Sequence, residues 1–97
     1  MRYEIVFAPE AFEDLKSLPK VEARIVVDAI ELHLRHAPTM ISKSRIKRLR
    51  EVTSPEYRLR VGNWRVFYDL VENEVWIRGV VKKPEAEAWL NNFGDTS

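Results

Sequence analysis

The chain has 97 residues, 45% hydrophobic and 32% charged, with a formal net charge of +1, which fits one soluble domain over residues 1–97 and argues against disorder. It contains no cysteine, so neither a disulfide framework nor a thiolate metal site is available. No stretch approaches the roughly 20 apolar residues of a membrane span, and acidic residues interrupt the N-terminal apolar stretch where a signal peptide would lie, so we expect a cytoplasmic protein that binds no membrane.

The first elements along the chain are a short strand and a helix. Alternating apolar residues predict the strand over residues 2–7. The helix starts at Pro9, a residue that the first helical turn tolerates, and its inward stripe consists of Ala11, Leu15 and Leu18.

A second helix follows a break at Pro19 and runs to about Ala37. Apolar residues recur along it at helical spacing, which predicts a wide buried face. That face is expected to contain Val21, Ile25, Ala29 and Leu32, with Val26 and Ile30 beside them.

The remaining elements are predicted to be strands and one last helix. Residues 39–56 form a polar, basic connection with a short strand or turn around residues 46–52. The periodicity then changes to two, which predicts strands over residues 57–61, 64–71 and 74–82 on short turns. A last helix is expected over residues 84–93, opened by Pro84.

The element order is therefore β-α-α-β-β-β-α. Consecutive strands on short turns are antiparallel. The predicted fold class is α+β, with two N-terminal helices packed on a small, mainly antiparallel sheet.

Positive charge is concentrated in the middle of the chain. Residues 38–65 contain eight Lys or Arg and two Asp or Glu, a net charge of +6, whereas residues 1–37 and 66–97 carry −2 and −3. Such asymmetry within one domain suggests a local site for a polyanion. A solvated basic loop is the alternative that charge alone leaves open.

The hairpin at Gly62-Asn63 predicts where the arginines of this region point. A two-residue loop there pairs Arg60 with Arg65 and Arg58 with Phe67. The other expected pairs are Val61 with Trp64, Leu59 with Val66, and Tyr57 with Tyr68. Leu59, Val61, Val66, Tyr68 and Leu70 then face the helices.

The opposite side of the sheet is predicted to be open and rich in arginine. The same count across the next turn pairs Asp69 with Trp76 and Phe67 with Arg78. We call the resulting side the arginine face, composed of Arg58, Arg60, Arg65, Arg78 and Phe67.

Like charges directly opposite each other destabilise a sheet, so an anion is expected at the arginine face. The guanidinium fork binds phosphate oxygens in pairs, and aromatic rings stack on bases. The alternative is that these arginines lie over the aromatic rings and pair with Asp69, Glu56 or a C-terminal carboxylate.

Three stretches resemble the RelE/ParE superfamily of type II toxin–antitoxin toxins, and in particular its RelE-like branch. They are KRLRE (47–51), YRLRVGNWRVFYDL (57–70) and VWIRGVVKKPEAEAW (75–89). The resemblance implies a toxin of this fold that a cognate antitoxin wraps around. It also implies cleavage of messenger RNA in the ribosomal A site, where the ribose 2′-hydroxyl attacks the adjacent phosphate without a metal or other cofactor.

The resemblance assigns roles to individual residues. Arg58, Arg60 and Arg65 match basic catalytic strand positions, and Lys83 matches a basic residue just before the last helix. Contacts with RNA are expected from Trp89, Phe67, Arg78, Lys82, Lys47, Arg48 and Arg50.

Trp89 stands where some members of the superfamily carry a tyrosine. Tryptophan can stack on a base but has no ionisable hydroxyl, so it cannot act as a general base. Lys83, Glu85 and Glu87 remain as candidates for proton transfer.

Two other functions remain open at this point. A ParE-like toxin of the same fold would poison DNA gyrase by contact, and a decayed toxin would retain only antitoxin binding. His33 and His36 have a spacing that can hold a metal, but without a cysteine or carboxylate partner on that face they predict ordinary histidines and no metal site.

Overall fold

A computed structural model describes residues 2–96 and gives the predicted element order with one added strand. The helices are α1 (Pro9–Lys16), α2 (Lys20–Leu34) and α3 (Ala86–Phe93), with a 3₁₀ turn over Lys83–Glu85 before α3. The strands are β1 (Glu4–Phe7), β2 (Ile46–Arg48), β3 (Tyr57–Val61), β4 (Trp64–Val71) and β5 (Glu74–Lys82). The α+β fold class is therefore confirmed, and β2 lies inside the connection where a short strand or turn was expected.

The five strands form one sheet in the order β1-β5-β4-β3-β2. Only β1 runs parallel to its neighbour β5, and the other three pairs are antiparallel. The sheet is thus mainly antiparallel, as predicted. Among residues 2–96 no helix has the length and apolar character to cross a membrane.

The hairpin between β3 and β4 has the predicted register in all five pairs, including Arg60 opposite Arg65 and Arg58 opposite Phe67. Gly62 adopts a φ of +56°, the left-handed conformation that the two-residue turn requires. The turn chemistry therefore fixes which residues of these strands face the helices.

The predicted register between β4 and β5 is correct at one end and wrong at the other. Asp69 lies opposite Trp76 as expected, but Phe67 lies opposite Gly79 instead of Arg78. The cause is a β-bulge, because β5 places one more residue than β4 between these two pairs. Arg78 nevertheless stays on the arginine face, where its Nε donates a 2.8 Å hydrogen bond to Asp69.

The buried row of α2 differs from the predicted one. Val26, Ile30 and Leu34 are at most 1% exposed, whereas the exposed fractions are 72% for Val21 and 76% for Leu32. Ile25 is also exposed, at 52%. The prediction was wrong for these three because apolar residues cover much of α2, and periodicity alone does not say which part of a wide apolar arc contacts the sheet.

Helices α1 and α2 lie on one side of the sheet, and α3 lies on the other. The core between α1, α2 and the sheet contains the predicted inward residues Leu59, Val61, Val66 and Tyr68. On the other side, Trp89 of α3 stacks on Phe67 of β4. The arginine face is therefore partly covered by α3, whereas an open face was expected.

Candidate active site

Part of the arginine face forms the floor of a cavity of about 670 Å³, which we call the arginine cavity. Arg58, Arg65 and Phe67 line it from the sheet. One wall comes from β2 and the segment after it, through Lys47, Leu49, Glu51 and Val52. The other wall comes from the C-terminal region, through Lys83, Ala86, Glu87, Leu90, Asn91, Gly94 and Thr96.

Arg65 is almost entirely enclosed, with 7% of its surface exposed. Its Nη1 donates 2.9 Å hydrogen bonds to the carbonyl oxygens of Gly62 and Trp64 at the hairpin. Burial, reinforced by Arg58 and Arg60, lowers the pKa of its guanidinium, although an arginine remains protonated at neutral pH. The fold thus holds a positive charge in a position where water solvates it poorly.

Arg58 lies beside Arg65 and is also poorly compensated. Its buried Nε has no hydrogen-bond partner, and burial together with Arg60 lowers the pKa of the guanidinium. An unpaired buried polar group costs about 1–3 kcal/mol, and more when it is charged. An anion seated in the cavity would offset that cost.

The carboxylates named as alternative partners pair with Arg78 and Arg48. Asp69 contacts Arg78 at 2.8 Å, and Glu56 contacts Arg48 at 3.8 Å. Within residues 2–96, no carboxylate lies within 4.0 Å of a side-chain nitrogen of Arg58, Arg60 or Arg65. The alternative of internal charge pairing therefore holds for Arg78 but not for the other three arginines.

Asp69 also organises the loop before β3. Its Oδ2 accepts a hydrogen bond from Ser54 Oγ, and its Oδ1 accepts one of 2.8 Å from the backbone N–H of Glu56. The carboxylate is 5% exposed. The Asp69–Arg78 pair is therefore part of the framework that holds this loop against β4 and β5.

The remaining predicted site residues are divided between the arginine cavity and its surroundings. Lys83 and Lys47 line the cavity, whereas Arg60 is exposed and does not. Arg48 packs over the Tyr57 ring at 5.1 Å, and Lys82 lies 5.9 Å from the centre of the Trp64 ring. Arg50 is exposed.

Phe67 and Trp89 form an internal stack. Their ring centroids are 4.7 Å apart and their planes differ by 3°, and Phe67 has no exposed surface. The expected exposed Phe67 ring is therefore absent, because α3 covers it. Trp89 lines a second cavity of about 430 Å³, together with Arg78 and Phe93, so a base can stack on Trp89 only from that side.

Sequence reasoning named Glu85 and Glu87 together, but the structure separates them. Glu87 lines the arginine cavity, whereas Glu85 lines a different cavity beside Trp64 and Glu22. Helical spacing from Lys83 does not distinguish them in the sequence, because Lys83 and Glu85 lie in the 3₁₀ turn before α3, whereas Glu87 lies in α3. Within residues 2–96, no group of three or more His, Asp or Glu side chains is arranged to hold a metal ion.

The chain shares its fold with solved toxin structures. RelBE2 from Mycobacterium tuberculosis, a toxin–antitoxin complex, contains a chain with a TM-score of 0.71 and 25% identity, and the match covers 84% of this chain and 99% of that one. The archaeal RelE-RelB complex from Pyrococcus horikoshii OT3 contains a chain with a TM-score of 0.68 and 23% identity, and the match covers 86% of this chain and 97% of that one. The YoeB dimer from Staphylococcus aureus has a TM-score of 0.63 and 22% identity, and the match covers 81% of this chain and 94% of that one.

The amino-acid sequence gives the family independently of the fold. Comparison with curated proteins finds no match. Residues 5–85 match the family model described as the ParE toxin of the type II toxin-antitoxin system, parDE. That match covers most of the chain, including the arginine hairpin and β5, and it agrees with the shared fold. This chain therefore belongs to the ParE toxin family of type II toxin–antitoxin systems, within the RelE/ParE superfamily.

Proposed function

We propose that this toxin is an endoribonuclease that cleaves messenger RNA on the ribosome. The observation that carries the proposal is the arginine cavity, where Arg58 and Arg65 are partly or fully buried, close to each other and without a carboxylate partner in residues 2–96. Its volume of about 670 Å³ is in the range of small-molecule sites. A nucleotide with its scissile phosphate therefore fits the cavity.

The proposed reaction needs charge stabilisation more than a strong nucleophile. The ribose 2′-hydroxyl attacks the adjacent phosphate, and negative charge builds on the phosphate oxygens in the transition state. Fixed guanidinium groups in a poorly hydrated cavity stabilise such charge more than they would in water. Arg58 and Arg65 hold these oxygens from the floor of the cavity, and Lys83 faces the leaving 5′-oxygen from the wall.

The other basic residues are proposed to hold the RNA outside the reacting centre. Lys47 lies at the cavity wall, and Arg60 and Arg50, which are both exposed, are proposed to contact neighbouring phosphates. Contacts of this kind position a nucleic acid without reading its sequence. Arg78, which lines the second cavity, is proposed to contact a flanking nucleotide there.

The experiment is a primer-extension assay with purified ribosomes, a defined messenger RNA and the free toxin. We expect new RNA ends at A-site codons with the wild-type chain and none with Arg58→Ala. The matched control is Arg24→Ala, which removes an exposed arginine on α2 whose only ion pair within residues 2–96 is with Asp28 at 3.7 Å. Intact RNA with the wild-type chain, or equal cleavage by Arg58→Ala, contradicts the proposal.

Gyrase poisoning is the second candidate, because the matching family model is that of ParE toxins. In this case the arginine face is a docking surface for the enzyme and no RNA is cut. A supercoiling assay with purified DNA gyrase distinguishes the two functions. Inhibition of gyrase by a protein that leaves ribosomal messenger RNA intact would favour this second function, and it would account for toxicity without catalysis.

The partner expected in the cell is a cognate antitoxin. Three of the similar structures are described as toxin–antitoxin complexes. We propose that the antitoxin of this chain covers both the arginine cavity and the exposed apolar residues of α2. Protection of the cavity by a bound antitoxin is measurable as loss of messenger RNA cleavage when the two proteins are mixed.

A further inference from the structure

One side of the C-terminal helical region faces the arginine cavity. Lys83, Glu87 and Asn91 line it at intervals of four residues, and Leu90 and Gly94 lie on the same side. Residues spaced by three and four share one side of a helix. Glu87 thus faces Arg58 and Arg65, and within residues 2–96 neither a hydrogen bond nor an ion pair occupies its carboxylate.

The position of α3 depends on a close contact between Trp89 and Gly79. A Cβ placed on Gly79 would lie 2.5 Å from Cζ2 of the Trp89 ring, a distance that real side chains do not tolerate. Gly79 lies at the β-bulge opposite Phe67, and Phe67 stacks on the same ring at 4.7 Å. α3 has no fully buried residue, so this contact holds its middle to the sheet, while backbone hydrogen bonds between Asp95 and Ser54 hold the segment after it.

We propose that Glu87 is the general base of the endoribonuclease, and that Trp89 seated on Gly79 is the positioning contact that keeps Glu87 at the arginine cavity. The inference rests on the function proposed above. Glu87 accepts the proton of the 2′-hydroxyl while the 2′-oxygen forms a bond to phosphorus. The bond between phosphorus and the 5′-oxygen breaks, and this oxygen takes a proton from the Lys83 ammonium. The products are a 2′,3′-cyclic phosphate and a 5′-hydroxyl.

The spacing of Glu87 and Lys83 suits this division of roles. The 3₁₀ turn and the start of α3 advance roughly 6–8 Å from Lys83 to Glu87, so two side chains on one wall can reach the attacking and leaving oxygens on opposite sides of the phosphorus. The arginines approach the same phosphate from the floor. Glu87 therefore takes the place of the missing tyrosine hydroxyl as proton acceptor, while Trp89 serves only to hold the helix.

Two other carboxylates near this region are less suited to the role. Glu85 lines the separate cavity that contains Trp64 and Glu22, so it faces away from the arginines. Glu51 lines the arginine cavity from the opposite wall, so it does not share a wall with Lys83. Glu85 provides a matched comparison because it is a glutamate close to the site but outside the cavity.

The first test compares Glu87→Gln with two controls, Glu85→Gln and Glu13→Gln on α1, in single-turnover cleavage of messenger RNA on ribosomes. Loss of a general base typically lowers the rate by about 10²–10⁴-fold, and we expect a loss of that size for Glu87→Gln alone, with unchanged ribosome binding. The acid limb of the pH–rate profile should also disappear. Wild-type cleavage by Glu87→Gln, or an equal loss in either control variant, overturns the inference.

The second test addresses the positioning role. Trp89→Ala and Gly79→Ala should slow cleavage, and Trp89→Phe should restore much of the rate because phenylalanine still stacks on Phe67. Residues that act through one group are non-additive, so Trp89→Ala should cause no further loss in the Glu87→Gln background. An additive loss would show that Trp89 acts independently of Glu87. Absence of cleavage by the wild-type chain would instead overturn the proposed function itself.

Discussion

At Arg58, the positive charge that suits anion binding in the arginine cavity also lowers the stability of the folded chain. The Nε is buried without a partner, and Arg60 lies close enough to lower the pKa of the guanidinium. Replacing a poorly compensated charge by an apolar side chain of similar length is often neutral or stabilising. We expect Arg58→Met to raise the free energy of unfolding by up to about 1 kcal/mol and to abolish RNA cleavage. Urea denaturation and the ribosome assay measure the two effects.

Arg65→Met is the comparison for this substitution. It also removes a positive charge from the cavity, but it breaks the hydrogen bonds to the carbonyl oxygens of Gly62 and Trp64. It should therefore abolish cleavage without raising stability. If Arg58→Met lowers the free energy of unfolding as much as Arg65→Met does, the arginine at position 58 contributes to folding and not only to the site.

Asp14 is the second residue for which we predict a measurable change in stability, and this prediction does not depend on the function of the protein. Its Oδ2 accepts a 3.0 Å hydrogen bond from the backbone N–H of Val80, beyond the last β5 residue that pairs with β1. Burial raises the pKa of this carboxyl above its usual value, with Glu10 adding to the effect. The contact between α1 and β5 therefore uses the Asp14 side chain as a hydrogen-bond acceptor, whereas burial disfavours the negative charge of its carboxylate.

A raised pKa in the folded state means that the folded chain binds this proton before the unfolded chain does. The contribution of Asp14 to the free energy of unfolding therefore increases as the pH falls through the folded-state pKa, and it levels off below the unfolded value. Asp14→Asn keeps an acceptor without the charge, so it should be more stable than the wild type at pH 7, by a margin that narrows near pH 4. Asp14→Ala should lose about 1–3 kcal/mol. A margin independent of pH would contradict this account.

Among the elements, the β3–β4 hairpin is the one that the sequence predicts best. Gly62-Asn63 between alternating strands determines a two-residue turn, and this turn determines all five pairs. The β-bulge at β5 was not predictable in the same way, because the turn at Glu72-Asn73 sets only the first pairs of β4 and β5, and the extra residue lies further along β5. The cavity wall formed by α3 was missed because helical periodicity does not indicate that Trp89 packs on Gly79.

The hairpin turn carries a prediction of its own. Gly62 has a φ of +56° and no atom within 4 Å of an added Cβ, so Gly62→Ala should cost only the backbone strain, about 1–2 kcal/mol. The Gly62 carbonyl accepts a hydrogen bond from Arg65, so Gly62→Ala should also slow RNA cleavage. Asn63→Ala is the control, since within residues 2–96 the only positive φ values are those of Gly62 and Glu72. Thermal denaturation that shows equal stability for both variants and the wild type would contradict the argument.

For the molecule as a whole, charge distribution along the chain was a better guide to the site than net charge. The segment 38–65, with its net charge of +6, supplies the floor and one wall of the arginine cavity. The exposed apolar row of α2 was not predictable, because a helix that is apolar over a wide arc gives no sign of which part a partner covers. Val21 and Leu32 are the clearest examples, since both were expected to be buried.

The same charge distribution predicts how binding to RNA responds to salt. Each phosphate contact releases a counterion, so the logarithm of affinity falls linearly with the logarithm of salt concentration, by about 0.7 per contact for a single strand. Lys47→Ala should reduce this slope by one contact, because Lys47 lines the arginine cavity, whereas Arg24→Ala on the far side should leave it unchanged. Fluorescence anisotropy with a short RNA at several salt concentrations measures the slope. An affinity that does not change with salt would mean that the arginine cavity holds no phosphate, and it would favour a protein partner at this face.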